Sequence, residues 1–324
     1  MKTIEKNLFT ILLAFAVALC SGTAAGQTYP SKPVRLIIPF PPGGSNDIVG
    51  RVIAGRLTER LGKQVVADNR GGAGGVIGTE AAAKSEPDGH TLLLISAGYT
   101  INTSLYKLPY DPAKAFTPVA KLATGPNVLA VHPSLPVNSV KDLIALAKEK
   151  PGTLNVAAAG VGTFQHLGSE LFRILARIDV GIVQFKGGGP AMIDVMGGHT
   201  QATLGSLIQT LPHLRSGKLK ALDTGGSKRS VSLPDVPTIA EAGVPGYEAN
   251  NWWGIVAPAG TPSAIVERLH RELSAILSAA DTQKLFLDQG AEVDKLGPAE
   301  FCPYIAAETT KWARVIKDAN IKAE

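Results

Sequence analysis

Val34-Arg35-Leu36-Ile37-Ile38-Pro39-Phe40-Pro41-Pro42-Gly43-Gly44-Ser45-Asn46-Asp47 is the stretch from which the fold is read. Its first five residues form an apolar run of buried-strand length, and the proline–glycine cluster after Ile38 stops it. Ser45 or Asn46 can then cap a helix. Ile48, Val52, Ile53, Leu57 and Leu61 give that helix one apolar stripe at helical spacing. Strand, glycine turn and amphipathic helix in that order are the unit of α/β architecture.

The same grammar recurs outward from this point. Gln64–Ala67 predicts a strand, followed by the glycine-rich Gly71-Gly72-Ala73-Gly74-Gly75 and a helix over Val76–Lys84. Leu92–Ser96 is a third buried strand, and Leu108–Pro118, with several prolines, reads as a connection. A second series follows: strand Val128–Val131, a helix opened by the capping pattern Ser139/Asp142 and ending at Pro151-Gly152, and strand Leu154–Ala158. That strand runs into Gly160-Val161-Gly162-Thr163 and a helix over Phe164–Ala176. Strand Val180–Phe185, loop Lys186-Gly187-Gly188-Gly189 and a helix opened by Pro190 come next. Near Asn250-Asn251-Trp252-Trp253 the chain returns to the first unit, with strand Gly254–Ala257 and helices over Pro262–Ala279 and Pro298–Ala319. The pattern predicts two α/β lobes with a cleft between them. Residues 27–127 and 252–324 form the first, discontinuous lobe, and residues 128–251 the second. Of Trp252 and Trp253, at least one is expected in hinge packing.

Four glycine loops each follow a predicted strand and open a predicted helix: Gly43-Gly44, Gly72 to Gly75, Gly160 to Thr163, and Gly187 to Gly189. In open α/β sheets, ligands bind beyond the carboxyl ends of the strands, where such loops lie. A helix N-terminus leaves several N–H groups without intrahelical acceptors and carries partial positive charge. Glycine lets the backbone approach an anion closely, so a carboxylate finds donors without any charged side chain.

Other chemistry finds little support. Gly72-Ala73-Gly74-Gly75-Val76-Ile77-Gly78 approaches a dinucleotide fingerprint but has the wrong spacing, and the phosphate-binding P-loop pattern is absent. GxSxG is missing, and the six histidines show no metal-ligand spacing, so no catalytic residue, metal or cofactor is expected. A secreted hydrolase acting through Ser45 or Ser96 is the alternative from another class. Basic residues are scattered and aromatics are only 6% of the chain, which excludes a nucleic-acid surface.

The first residues address the chain for export. Lys2 and Lys6, the apolar run Leu8–Leu19 and the small residues Ser21–Gly26 have the order of a cleavable signal peptide over residues 1–26. Its removal takes Cys20 away and lowers the formal charge from +5 to +4. Cys302 is then the sole cysteine, so the mature protein is expected to be a periplasmic monomer held by its core rather than by a disulfide.

The motifs together resemble the Bug family, the substrate-binding components of tripartite tricarboxylate transporters. They are Pro39 to Asp47, Asn69 to Gly75, Pro87-Asp88-Gly89-His90-Thr91, Gly162 to Leu167, Phe185 to Ala191, Asn251 to Gly254 and Glu308 to Trp312. The resemblance covers essentially the whole mature chain. It implies a type II periplasmic-binding-protein fold, a Venus flytrap whose two lobes are each a mixed sheet flanked by helices. It also implies a small carboxylate ligand, and as partners either transporter membrane subunits or a sensor kinase. The ligand-binding residues it implies are Phe40, Gly44, Ser45, Asn46, Asp47, Ala73, Gly74 and Ser96 in the first lobe. In the second they are Gly162, Thr163, His166, Gly187 and Gly188, with Gly205 where the family often has Asp. That departure disfavours an amino-acid ligand, because the Asp could meet an ammonium group. Gly71 and His90 also depart, from Pro and Tyr.

Overall fold

The computed structural model describes residues 29–318 and 320–322; the leader read over residues 1–26 lies outside the described residues. β1 (Val34–Ile38), β2 (Val65–Asn69) and β3 (Thr91–Ser96) are parallel neighbours, and β3 is buried throughout. Helices α1 (Ser45–Leu61), α2 (Val76–Ala83) and α3 (Ala97–Leu105) follow the three strands, with a 3₁₀ turn at Ala73–Gly75. Strands covered on both faces can be continuously apolar, as Leu92 to Ile95 are.

β4 (Phe116–Val131) decides the architecture, because it belongs to two sheets. Its residues 116–126 pair antiparallel with β9 (Asn250–Pro258), which also pairs with β3. From Asn127 to Val131 it pairs instead with β7 (Ala202–Ser206), and from Val128 with β8 (Lys220–Thr224). β5 (Asn155–Ala158) and β6 (Gly181–Gln184) extend the second sheet in parallel. The path runs β2-β1-β3-β9-β4-β7-β5-β6. The second sheet carries α4 (Val140–Glu149), α5 (Phe164–Ala176), α6 (Gly188–Met196) and α7 (Leu207–Arg215). Chain order closes with α8 (Ser263–Ser278), α9 (Ala280–Asp288), β10 (Glu292–Leu296) and α10 (Pro298–Asp318). β10 pairs with the first half of β4. Each lobe is thus a mixed sheet flanked by helices, as predicted.

Several elements differ from expectation for identifiable reasons. Phe116 to Pro118, the end of the expected connection, is already strand, and β4 runs on from it; register shifts beside Pro118 and at Lys121 let it accommodate a proline that donates no ladder hydrogen bond. The N-cap of α1 is Gly44, not Ser45 or Asn46, and no side chain caps it. α6 opens at Gly188, two residues before Pro190. Ser139 caps α4 as expected, its Oγ accepting the Asp142 N–H at 3.1 Å.

The buried aromatics tie α10 to both sheets. Trp252 and Trp253 are fully buried, and Trp252 packs edge-on against Phe301 and Tyr304. Trp312 packs edge-on against Phe164, the first residue of α5. One Glu308 carboxylate oxygen accepts both indole N–H groups, from Trp252 and Trp312, each at 3.1 Å. An unmet buried donor costs about 1–3 kcal/mol, so this one carboxylate oxygen offsets that cost for two indoles.

Candidate ligand-binding site

Strand-to-helix turns from both lobes deliver helix N-termini to one place. A cavity of about 40 Å³ is lined by Phe40, Gly44, Ser45, Asn46, Ser96 and Gly98 from the first lobe, with Asn251 from β9. Ala159, Thr163, Phe164, Gln165, Gly188, Ser206 and Gln209 complete it. Gly44, Ser96, Thr163 and Ser206 are the N-caps of α1, α3, α5 and α7, and Gly188 is the first residue of α6. Five helices therefore point their positive ends at one volume. At Gly44, Ser96 and Ser206 no cap side chain takes the first-turn N–H groups.

The electrostatics follow from that count. Each N-terminus carries roughly half a positive charge, and none of the residues lining the cavity is Asp, Glu, Lys, Arg or His. An anion entering it meets uncompensated positive potential and oriented donors. A cation meets the reverse. Asn46 Oδ1, Gln165 Oε1 and Ser206 Oγ are buried with no hydrogen-bond partner in the protein. Orphaned buried polar atoms cost stability unless something outside the chain satisfies them.

Phe40 and Ala159 also line a second, larger chamber of about 750 Å³. Gly71 to Gly75, Tyr106, Gly160, Val161 and Phe185 surround it, and exposed Lys186 is its one charged lining residue. A water-sized group needs about 10–15 Å³ of such space, so the inner cavity holds roughly three heavy atoms. The rest of a ligand extends past Phe40 into the outer chamber.

Glycine sets how closely the lobes meet. A side-chain carbon on Gly44 would fall 3.7 Å from the Gly188 nitrogen, and one on Gly189 would fall 2.9 Å from the Pro42 carbonyl oxygen. On Gly74, at φ +61°, it would sit 2.6 Å from the Val161 carbonyl. Tyr106 donates its hydroxyl across the same gap to the Val161 carbonyl at 3.2 Å.

The sequence-predicted residues divide accordingly. Phe40, Gly44, Ser45, Asn46, Ser96, Thr163 and Gly188 line the inner cavity, while Ala73 and Gly74 line the outer one. Asp47, Gly162, His166, Gly187 and Gly205 line neither. Asp47 supports the loop from behind, accepting the Gly43 N–H at 3.0 Å and bonds from Arg51 and Asn69, each at 2.9 Å. Burial alone would raise its pKa, but these bonds hold it below the ordinary carboxylate value. His166 Nδ1 accepts the Gly162 N–H at 3.4 Å and so shapes the loop before α5. A side chain on Gly205 would meet Thr210 Oγ1 at 2.7 Å and the Met192 methyl at 3.4 Å, inside the second lobe. The neighbouring Ser206 faces the cavity instead. Gln165, Gln209, Ser206 and Asn251 were not anticipated.

Comparison with known proteins decides the family. Residues 49–321 match the model of the tripartite tricarboxylate transporter family receptor. The chain belongs to this family. It is 38% identical to Protein BugT of Bordetella pertussis, over 97% of this chain and 98% of that one. Among solved structures, Rpa4515 of R. palustris with adipate superposes with a TM-score of 0.89 at 37% identity, covering 91% of this chain and 99% of that one. MatC of Rhodopseudomonas palustris with bound malate gives 0.84 at 33% identity, covering 89% and 100%. Ser45, Ser96 and Ser206 line this receptor's inner cavity, and no histidine, aspartate or glutamate lines it with them. Among the described residues no helix is long and apolar enough to cross a membrane.

Proposed function

We propose that this receptor captures a small carboxylate in the periplasm and presents it to the membrane subunits of a tripartite tricarboxylate transporter, without catalysis. One observation carries the reading: five helix N-termini converge on a cavity that contains no charged side chain. Charge-assisted hydrogen bonds contribute about 1.5–3 kcal/mol each. Four or five, less ordering costs, reach the roughly −8 kcal/mol of micromolar binding. The adipate and malate held by the two neighbours are both carboxylates, which supports the class.

Residues 27–127 and 252–324 act as one body and 128–251 as the other. The change of partners in β4 after Pro126 supports that division. Ligand bridging both lobes gains its second-lobe bonds only on closure, so it shifts an open–closed equilibrium.

A thermal-shift panel of mono-, di- and tricarboxylates, each beside its neutral amide, tests the proposal. An acid present at 100 times its Kd is expected to stabilise the protein by about 2.7 kcal/mol, and its amide by nothing measurable. Equal stabilisation by acids and amides would refute it.

A further inference from the structure

We infer that Gln165 selects ligands bearing a hydroxyl beside the bound carboxylate, so that the solute is a hydroxycarboxylate. The inference rests on the carboxylate reading above and goes beyond it, to a second group on the ligand.

The orientation of two buried amides carries the argument. Gln209 Nε2 donates to the Gly188 backbone carbonyl at 2.5 Å. A carbonyl can only accept, so Gln209 must turn its NH₂ that way and its Oε1 the other. That oxygen receives the NH₂ of Gln165 at 3.4 Å. Gln165 is thereby fixed in turn, and its own Oε1 is left as the free end of the chain. It is buried, without a protein partner, on a residue 6% exposed that lines the inner cavity. The backbone anchor settles both amide orientations.

A free buried acceptor calls for a donor from the ligand. The carboxylate bound by the helix ends is acceptor only. An ammonium would donate, but five helix N-termini and no lining carboxylate oppose a positive charge there. A neutral hydroxyl meets both demands, and buried Ser206, whose Oγ is also unpartnered, can bond its oxygen in return. The inner cavity of about 40 Å³ has room for a carboxylate and little more, which keeps the two groups close in the ligand. Asn46 lacks such an anchor and is free to turn its NH₂ toward the carboxylate.

Calorimetric titration of matched pairs tests this: succinate against L- and D-malate, and butyrate against 2- and 3-hydroxybutyrate. At least one hydroxylated acid is expected to bind about tenfold or more tightly than its parent, the value of one well-made hydrogen bond to a buried group. In Gln165→Leu that ratio is expected to fall to near one. Circular dichroism and the unliganded Tm check that the variant folds. Parents binding as tightly as every hydroxylated partner would overturn the inference and leave the carboxylate reading standing. A preference that survives in Gln165→Leu would also overturn it. Failure of every acid to bind would overturn both.

Discussion

Replacing Gly189 with valine is expected to cost about 100-fold in ligand affinity. Gly189 is the second residue of α6 and precedes Pro190, whose ring disfavours helical backbone for a residue that carries a side chain, so the unliganded Tm of the variant is measured beside its affinity. The obstacle is across the cleft. The first side-chain carbon would stand 2.9 Å from the Pro42 carbonyl oxygen and 3.6 Å from the Gly43 carbonyl carbon. Valine adds two methyl groups in the same gap, and the far wall is backbone, which cannot rotate aside. The lobes are held apart, and the ligand keeps its first-lobe bonds but loses those from α5, α6 and α7. Two lost charge-assisted bonds amount to at least about 3 kcal/mol, or roughly 100-fold. Gly55→Ala is the control, since nothing lies within 4 Å of its side-chain position on α1. It is expected to bind normally and to gain slightly in stability. Titration with the acid selected by the panel measures both, and normal affinity in Gly189→Val would show that closure contributes little.

The second large effect concerns stability against pH and arises far from the cleft. Asp223 on β8 is 1% exposed. One carboxyl oxygen accepts the Val140 N–H at 3.3 Å, while the other is buried without a partner. Burial, with a smaller push from Glu241, raises its pKa to about 7 despite the Val140 bond. In the unfolded chain the value returns to 3.8. Between those values the folded state holds a proton that the unfolded state has released. This group's stabilisation is therefore complete at low pH and declines as pH rises toward 7, by up to about 1.4 kcal/mol per unit. The accumulated loss is on the order of 2–4 kcal/mol. Asp223→Asn keeps the acceptor for Val140 and removes the charge. Its stability relative to wild type, from urea unfolding at pH 4 to 8, is expected to start near zero and rise by that amount. A difference independent of pH would mean that Asp223 is ionised in the fold.

Both effects were only partly open to sequence reading, for physical reasons. Three of the five helix ends are announced by glycine: Gly43-Gly44, Gly160 to Thr163 and Gly187 to Gly189 are loops whose composition has few other uses. The other two are silent. α3 reads Ala97-Gly98-Tyr99-Thr100-Ile101-Asn102-Thr103-Ser104-Leu105, mostly poor helix formers, and it is helical because burial of its first six residues outweighs propensity. α7 carries Pro212 within it, which argues against a helix in sequence. Gly205 and Ser206 show a different limit. Adjacent strand residues face opposite sides, so being one residue off exchanges core for cavity. Gln165 and Gln209 were missed because a polar residue on a helix reads as solvent-facing until the other lobe is placed against it. Asp47 and His166, in contrast, stand out in the motifs because they shape the loops that bind rather than because they touch the cavity.

A crystal structure with the tightest acid from the panel addresses the central claim most directly. The expected map shows the carboxylate in the inner cavity, its oxygens within hydrogen-bond distance of first-turn amides at Ser45, Asn46 and Gly98, with no charged side chain in contact. A carboxylate paired instead with Lys186 in the outer chamber, above an inner cavity holding only water, would contradict it.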